Sequence, residues 1–136
     1  MRVFDTTFII DLSNADPGAT KLASVVDGEG SVAAVSAITV HEYLLGIHIR
    51  YFQEKELLTA KLDAAEKELT AFMILPFTQD VAMESARIQA ALTKRGQIIG
   101  INDIYIAATA MLHKATIVTR NSSDFEHVQG LPVEEY

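Results

Sequence analysis

The sequence contains no cysteine and no tryptophan, and only three of its 136 residues are proline and seven glycine. The absence of cysteine excludes disulfides, cysteine–zinc sites, thiol nucleophiles and iron–sulfur clusters. No stretch rich in glycine, serine or proline divides the chain, so we expect residues 1–136 to form one domain. The longest nearly apolar run, Ile104 to Leu112, is far shorter than the roughly 18 residues of a membrane span. We therefore expect a cytoplasmic protein with no membrane contact.

Basic residues are also in the minority, with 11 Lys and Arg against 18 Asp and Glu and a net charge of −7. Taken alone, this acidity argues against a nucleic acid partner, because such partners are usually bound by basic surfaces. The four histidines lack the spacing of a zinc site, and neither a nucleophile elbow nor a Walker-type phosphate loop is present. Hydrophobic residues make up 49% of the chain, which excludes intrinsic disorder. The acidic residues therefore become the main candidates for chemistry.

Short β-prone runs alternate along the chain with longer segments of helical periodicity. The predicted strands are Arg2–Phe4, Ser31–Val35, Met73–Leu75 and Thr116–Thr119. The predicted helices are Thr39–Tyr51, Leu57–Phe72, Thr78–Arg95 and Asp103–His113. This alternation is typical of an α/β protein with three layers, in which helices cover both faces of a central, mainly parallel sheet.

Two acidic residues follow predicted strands, where α/β proteins bind their ligands. Asp5 comes directly after the first strand, and Asp124 follows the strand that ends at Thr119. Each residue also has a purely structural interpretation, because Asp is a common helix N-cap and turn residue. Position alone therefore leaves both interpretations open.

Two further acids lie within apolar helical patterns, where a carboxylate is costly unless it is paired or binds a metal. Glu42 shares one side of its helix with Ile38, Leu45, Gly46 and Ile49, and we expect this side to be buried. Asp103 begins a helix that is apolar nearly all round. Four acids gathered without basic partners would repel one another, and Mg²⁺ or Mn²⁺ is the natural counter-charge. Such a cluster suits metal-assisted hydrolysis of a phosphodiester.

Four segments in order along the chain resemble the sequence motifs of PIN domains. They are Val3–Ile10 around Asp5, Ser36–Gly46 around Glu42, Gly96–Ala110 around Asp103, and Val118–Phe125 around Asp124. Each segment alone is a weak signal, but four at the expected spacing are specific. In its length, and in how much of the chain these motifs span, the sequence also resembles VapC toxins of toxin–antitoxin modules.

The resemblance implies a PIN-like three-layer fold and a Mg²⁺- or Mn²⁺-dependent endoribonuclease that acts on RNA. It also implies a homodimer and a cognate VapB-like antitoxin. By position, Asp5, Glu42, Asp103 and Asp124 would be the catalytic, metal-binding acids, with Asp5 and Asp103 as direct ligands. Supporting hydroxyl and amide groups that orient these acids would come from Thr6, Thr119 and Asn121.

Two other interpretations remain open from sequence: a PIN nuclease of RNA maturation or quality control, and a PIN-fold module that binds without cutting. We also expect basic residues near the motifs to contact the RNA backbone, and the candidates are Arg50, Lys94, Arg95 and Arg120. Antitoxin docking near the helix Leu57–Phe72 is a further hypothesis. Two bound divalent cations would add four positive charges and change the net charge from −7 to −3. The acidity is therefore compatible with an RNA substrate.

Overall fold

A computed structural model describes all of residues 1–136 and contains five strands and seven helices. The strands are β1 (Arg2–Phe4), β2 (Ala33–Ser36), β3 (Met73–Leu75), β4 (Thr116–Thr119) and β5 (Val133–Glu135). The helices are α1 (Thr6–Ser13), α2 (Pro17–Glu29), α3 (Ala37–Arg50), α4 (Lys55–Leu69), α5 (Gln79–Lys94), α6 (Ile101–Leu112) and α7 (Ser122–Glu126). No helix is both long enough and apolar enough to cross a membrane.

All five strands pair in parallel, in the order β3-β2-β1-β4-β5. β1 is the central strand, and its Val3 lies beside Ala34 of β2 and Ile117 of β4. The predicted α/β class and parallel sheet are therefore confirmed. Because the strands are parallel, the carboxyl ends of β1, β2 and β4 meet at one edge of the sheet.

Two hydrophobic cores lie on opposite faces of this sheet. Val3 and Ile117 belong to the core formed with α5 and α6, whereas Phe4 and Val118 belong to the core formed with α1, α3 and α4. This division follows from the strand geometry, because successive side chains point to opposite faces. Both faces are covered, as the three-layer prediction requires.

The structure contains two elements that the sequence patterns did not predict, α2 and β5. Asp16 accepts a hydrogen bond from the backbone N–H of Ala19 as the N-cap of α2, and Pro17 occupies the first turn. This Asp-Pro pair is a helix-start signal that the hydrophobic pattern obscured. β5 reads Val-Glu-Glu at the edge of the sheet, and its burial is only partial. It has too little apolar character to be recognised without its neighbour β4.

Candidate active site

Asp5 is buried at the centre of the sheet edge, directly after β1. Its Oδ1 accepts hydrogen bonds from the backbone N–H of Phe8 at 3.1 Å and from Thr7 Oγ1 at 2.7 Å. Its Oδ2 accepts from Thr119 Oγ1 at 2.5 Å. Asp5 is thus the N-cap of α1 and also joins α1 to β4, so its capping interpretation is correct without excluding a second role.

Burial raises the pKa of Asp5 above its ordinary value, and the negative charge of Glu42 adds to this increase. The hydrogen bonds from Thr119, Thr7 and Phe8 act in the opposite direction, because they stabilise the ionised carboxylate. Asp5 is therefore a carboxylate whose charge has little contact with water and is stabilised mainly by hydroxyl and amide donors.

Glu42 is held at the same edge by donors from two other helices. Ser36, the last residue of β2, caps α3 by accepting from the N–H of Thr39, so α3 begins where the strand ends. Glu42 Oε1 accepts from Thr6 Oγ1 at 2.6 Å, and its Oε2 accepts from Asn102 Nδ2 at 3.2 Å. The side chain therefore connects α3 with α1 and α6.

The expectation that Glu42 lies on a buried apolar face is wrong. Leu45 is 46% exposed and Ile49 is 69% exposed, so the side of α3 that carries Glu42 faces outward along much of its length. The opposite side, with Val40, Leu44 and Ile47, packs on the core beneath α1 and α4. α3 has apolar residues on two sides and the sheet can bury only one, so periodicity could not identify the buried side.

Asp103 lies in the first turn of α6 and Asp124 in the first turn of the short helix α7. Burial is the largest cause that raises the pKa of Asp103, to about 6. The negative charges of Glu42, Asp124 and Asp5 raise it further, in that order. All four predicted acids therefore contribute to one region of negative potential.

The raised pKa of Asp103 predicts how stability depends on pH when no metal is present. In the folded protein the pKa of Asp103 is about 6, above the ordinary aspartate value of 3.8, so protonation favours the folded state. We expect the free energy of unfolding to fall as pH rises from about 4 to about 6. Urea unfolding in EDTA should show this decrease in the wild type and a smaller one in Asp103→Asn. Parallel pH profiles for the two proteins would contradict the assignment.

The three predicted supporting residues differ in how they contact the acids. Thr6 donates to Glu42, and Thr119 donates to Asp5. Asn121 acts through its backbone N–H, which donates to Thr119 Oγ1 at 3.0 Å, and not through its side-chain amide as expected. Sequence reasoning missed Thr7 and Asn102, which donate to Asp5 and Glu42.

The atoms of the four acids that could bind a metal are all carboxylate oxygens, and no positively charged side chain neutralises them. None of the four acids forms an ion pair with a lysine or arginine. As the side chains stand, no three histidine, cysteine or carboxylate groups converge closely enough to hold a metal ion. The chemistry of the donors still fits a hard divalent cation, which prefers oxygen ligands and would relieve the repulsion that raises the pKa of Asp103. A shallow, open surface concavity beside Glu54–Leu57 and Ala60 is separate from the four acids.

Two of the four basic residues near the motifs, Arg120 and Arg95, form polar contacts within the protein. The Arg120 guanidinium lies 2.7 Å from Asp11 Oδ2 and 3.2 Å from Asp16 Oδ2. Arg95 donates to the backbone carbonyl of His127. Contact of these residues with an RNA backbone stays a prediction.

Comparison with known proteins identifies relatives over nearly the whole chain. The family model described as PIN domain matches residues 2–131. A VapC ribonuclease of Sinorhizobium fredii is 32% identical over 127 residues, which cover 93% of this chain and 91% of the relative. Ribonuclease VapC1 of Rickettsia felis is also 32% identical, over 96% of this chain and 92% of the relative.

Solved structures share the same architecture. The crystal structure of FitAcB from Neisseria gonorrhoeae matches with a TM-score of 0.85 and 28% identity, over 98% of this chain and 96% of the other. A toxin–antitoxin complex from Klebsiella pneumoniae matches with a TM-score of 0.68 and 29% identity, over the same shares of the two chains. The sheet and its flanking helices are therefore common to all three chains.

Proposed function

The chain belongs to the PIN domain family and is related to VapC ribonucleases over nearly its full length, and we propose that it is a metal-dependent endoribonuclease, the toxin of a toxin–antitoxin pair. Residues 1–136 would form one such domain. The observation that carries the proposal is that Asp5, Glu42 and Asp124 all act on Asp103 through their negative charge, while none of the four acids forms an ion pair with a lysine or arginine. The pKa of Asp103 is raised to about 6, first by burial and then by the negative charges of Glu42, Asp124 and Asp5.

We propose Asp5 and Asp103 as the direct ligands of Mg²⁺ or Mn²⁺, with Glu42 and Asp124 completing the negative site. The bound metal would supply the positive charge that activates water and stabilises the departing oxygen of an RNA phosphodiester. Thr119 and Thr7 fix both oxygens of Asp5, and Thr6 with Asn102 fixes both oxygens of Glu42. The protein thereby sets the orientation of its carboxylates before metal and RNA arrive.

Removal of divalent metal is expected to abolish RNA cleavage. Without a cation, the four carboxylates repel the phosphodiester, and nothing in the site can stabilise the leaving oxygen. The measurement is cleavage of a mixture of structured RNAs in EDTA, followed by addition of excess Mn²⁺ or Mg²⁺. We expect full loss in EDTA and recovery with either ion.

A control with Ca²⁺ tests whether charge neutralisation alone is sufficient, since Ca²⁺ is larger and less rigid in its coordination. Recovery with Mn²⁺ but not with Ca²⁺ supports a site that demands tight coordination. Cleavage that persists in EDTA would refute the metal-dependent function.

We further propose that the chain pairs with an antitoxin of the VapB type and forms a homodimer. The support comes from its relatives, since one structure that it matches is a toxin–antitoxin complex. Expression of the chain alone should arrest growth of the host, and co-expression with a small antitoxin gene found beside its own gene should relieve the arrest. Growth that continues despite soluble expression and RNA cleavage in vitro would favour a nuclease of RNA maturation over a toxin.

A further inference from the structure

We propose that Arg120 is a positioning residue, which keeps the segment after β4 against α1 so that Asp5 receives both of its hydroxyl donors. This inference rests on the proposed function, because it concerns the metal site that Asp5 would form. It assigns to Arg120 a role within the protein in place of direct contact with the RNA backbone.

The segment Thr119–Asn121 begins at the last residue of β4. It contacts Asp5 Oδ2 directly and Asp5 Oδ1 through Thr7. Thr119 donates to Asp5 Oδ2 at 2.5 Å. The backbone N–H of Arg120 donates to Thr7 Oγ1, and Thr7 in turn donates to Asp5 Oδ1 at 2.7 Å. Displacement of this one segment would therefore loosen both hydroxyl contacts of Asp5 together.

Thr119 is held by strand pairing as the last residue of β4, but the backbone contact of Arg120 beyond the strand is weak. Arg120 N and Thr7 Oγ1 are 3.4 Å apart, beyond the usual N–H···O range of about 2.7–3.2 Å. A second attachment comes from the Arg120 side chain, which pairs with Asp11 of α1 and with Asp16, the N-cap of α2. These two ion pairs fasten the segment to the turn between the two helices.

Asp11 is itself held in place by Tyr136, which directly follows β5. The Tyr136 hydroxyl donates to Asp11 Oδ2 at 2.6 Å, and its ring packs edge-on against Phe8 with 5.1 Å between ring centroids. The Arg120 guanidinium lies 5.9 Å from the centre of the same ring. Arg120 therefore binds a carboxylate that is already oriented, which reduces the entropy lost in forming the pair.

The test is Mn²⁺ binding to the RNA-free protein, measured by isothermal titration calorimetry. We expect Arg120→Ala to weaken Mn²⁺ binding about tenfold, the lower end of the effect of removing a group that orients a metal ligand. Arg87→Ala is the matched control, because Arg87 is 57% exposed, Arg120 is 49% exposed, and each pairs with acids. Arg87 lies on α5 and pairs with Glu84, so its loss should leave Mn²⁺ affinity unchanged.

Asp11→Asn separates positioning from contact with RNA. It breaks the shorter of the two Arg120 ion pairs and removes a negative charge, so an Arg120 that binds RNA phosphates would bind them equally well or better. The positioning role predicts weaker Mn²⁺ binding in Asp11→Asn, in the same direction as in Arg120→Ala. The double variant should be no worse than Arg120→Ala alone, because Arg120→Ala already removes the Arg120–Asp11 pair that Asp11→Asn breaks.

RNA binding by Asp5→Asn protein at several salt concentrations provides the second readout. The positioning role predicts that adding Arg120→Ala leaves the salt dependence unchanged. The slope of the logarithm of the RNA-binding constant against the logarithm of the salt concentration is the deciding quantity. A slope smaller in magnitude by about one in the Arg120→Ala protein would show direct phosphate contact and overturn the inference. Wild-type Mn²⁺ affinity in Arg120→Ala and Asp11→Asn would overturn it as well. A wild type that binds no Mn²⁺ would refute the proposed metal site, and this inference with it.

Discussion

Replacement of Asp5 by asparagine is expected to reduce Mn²⁺-dependent RNA cleavage by a factor on the order of 10²–10³, comparable to the loss of one preorganised electrostatic group in other active sites. The change removes one negative charge from the centre of the site and little else. The Asn oxygen can still accept from Phe8 and Thr7, as Asp5 Oδ1 does, so α1 keeps its N-cap. Thr119 can rotate its hydroxyl to accept from the new amide.

The measurement is the initial rate of RNA cleavage at saturating Mn²⁺, with thermal unfolding to show that the variant is folded. Asp80→Asn is the control, because Asp80 is an exposed acid in the first turn of α5. Equal cleavage by Asp5→Asn and the wild type would eliminate Asp5 as a catalytic ligand.

Phe4→Ala is expected to cost about 3–5 kcal/mol of the free energy of unfolding. Phe4 is 1% exposed on the central strand, directly before Asp5, and belongs to the core beneath α1, α3 and α4. Its ring lies 4.2 Å from the ring of Phe8 and 5.8 Å from that of Phe72, measured between centroids. The truncation removes both aromatic contacts and leaves a cavity that the parallel sheet cannot close.

Urea unfolding in the absence of metal measures this loss. Phe52→Ala is the control, since Phe52 is 76% exposed and its truncation should change stability by less than about 0.5 kcal/mol. If the two variants were equally stable, the packing around Phe4 would contribute far less than its burial implies.

The sequence predicted the fold class because the signals that decide it are local. Three of the four predicted strands have the bounds that the structure shows, and Thr78 caps α5 as its position suggested. β2 is shifted to Ala33–Ser36 because Ser36 still pairs in the sheet before it caps α3. α2 and β5 were missed because a Pro-Gly start and a Glu-rich edge strand resemble loops in isolation.

The site was predictable only in part, because side-chain contacts depend on distant elements. The motif spacing placed Asp5 and Thr119 at one sheet edge, and the structure shows a hydrogen bond between them. Thr7 and Asn102 carried no comparable signal, since the direction in which each side chain points depends on how its helix packs. The same limit explains why Asn121 contributes its backbone N–H and not its side-chain amide.

The hydrogen bond between Thr119 and Asp5 joins residues 114 positions apart, at the boundary of β4 and the central strand β1. During synthesis, β1 leaves the ribosome long before β4 exists, and α6 with Asp103 also comes later. A nascent chain that has not yet inserted β4 therefore lacks the Thr119 donor and the helix α7 that carries Asp124. The proposed nuclease would become competent only as its last strands pair. The order of translation would thus keep the unfinished chain harmless to the messenger RNA that encodes it.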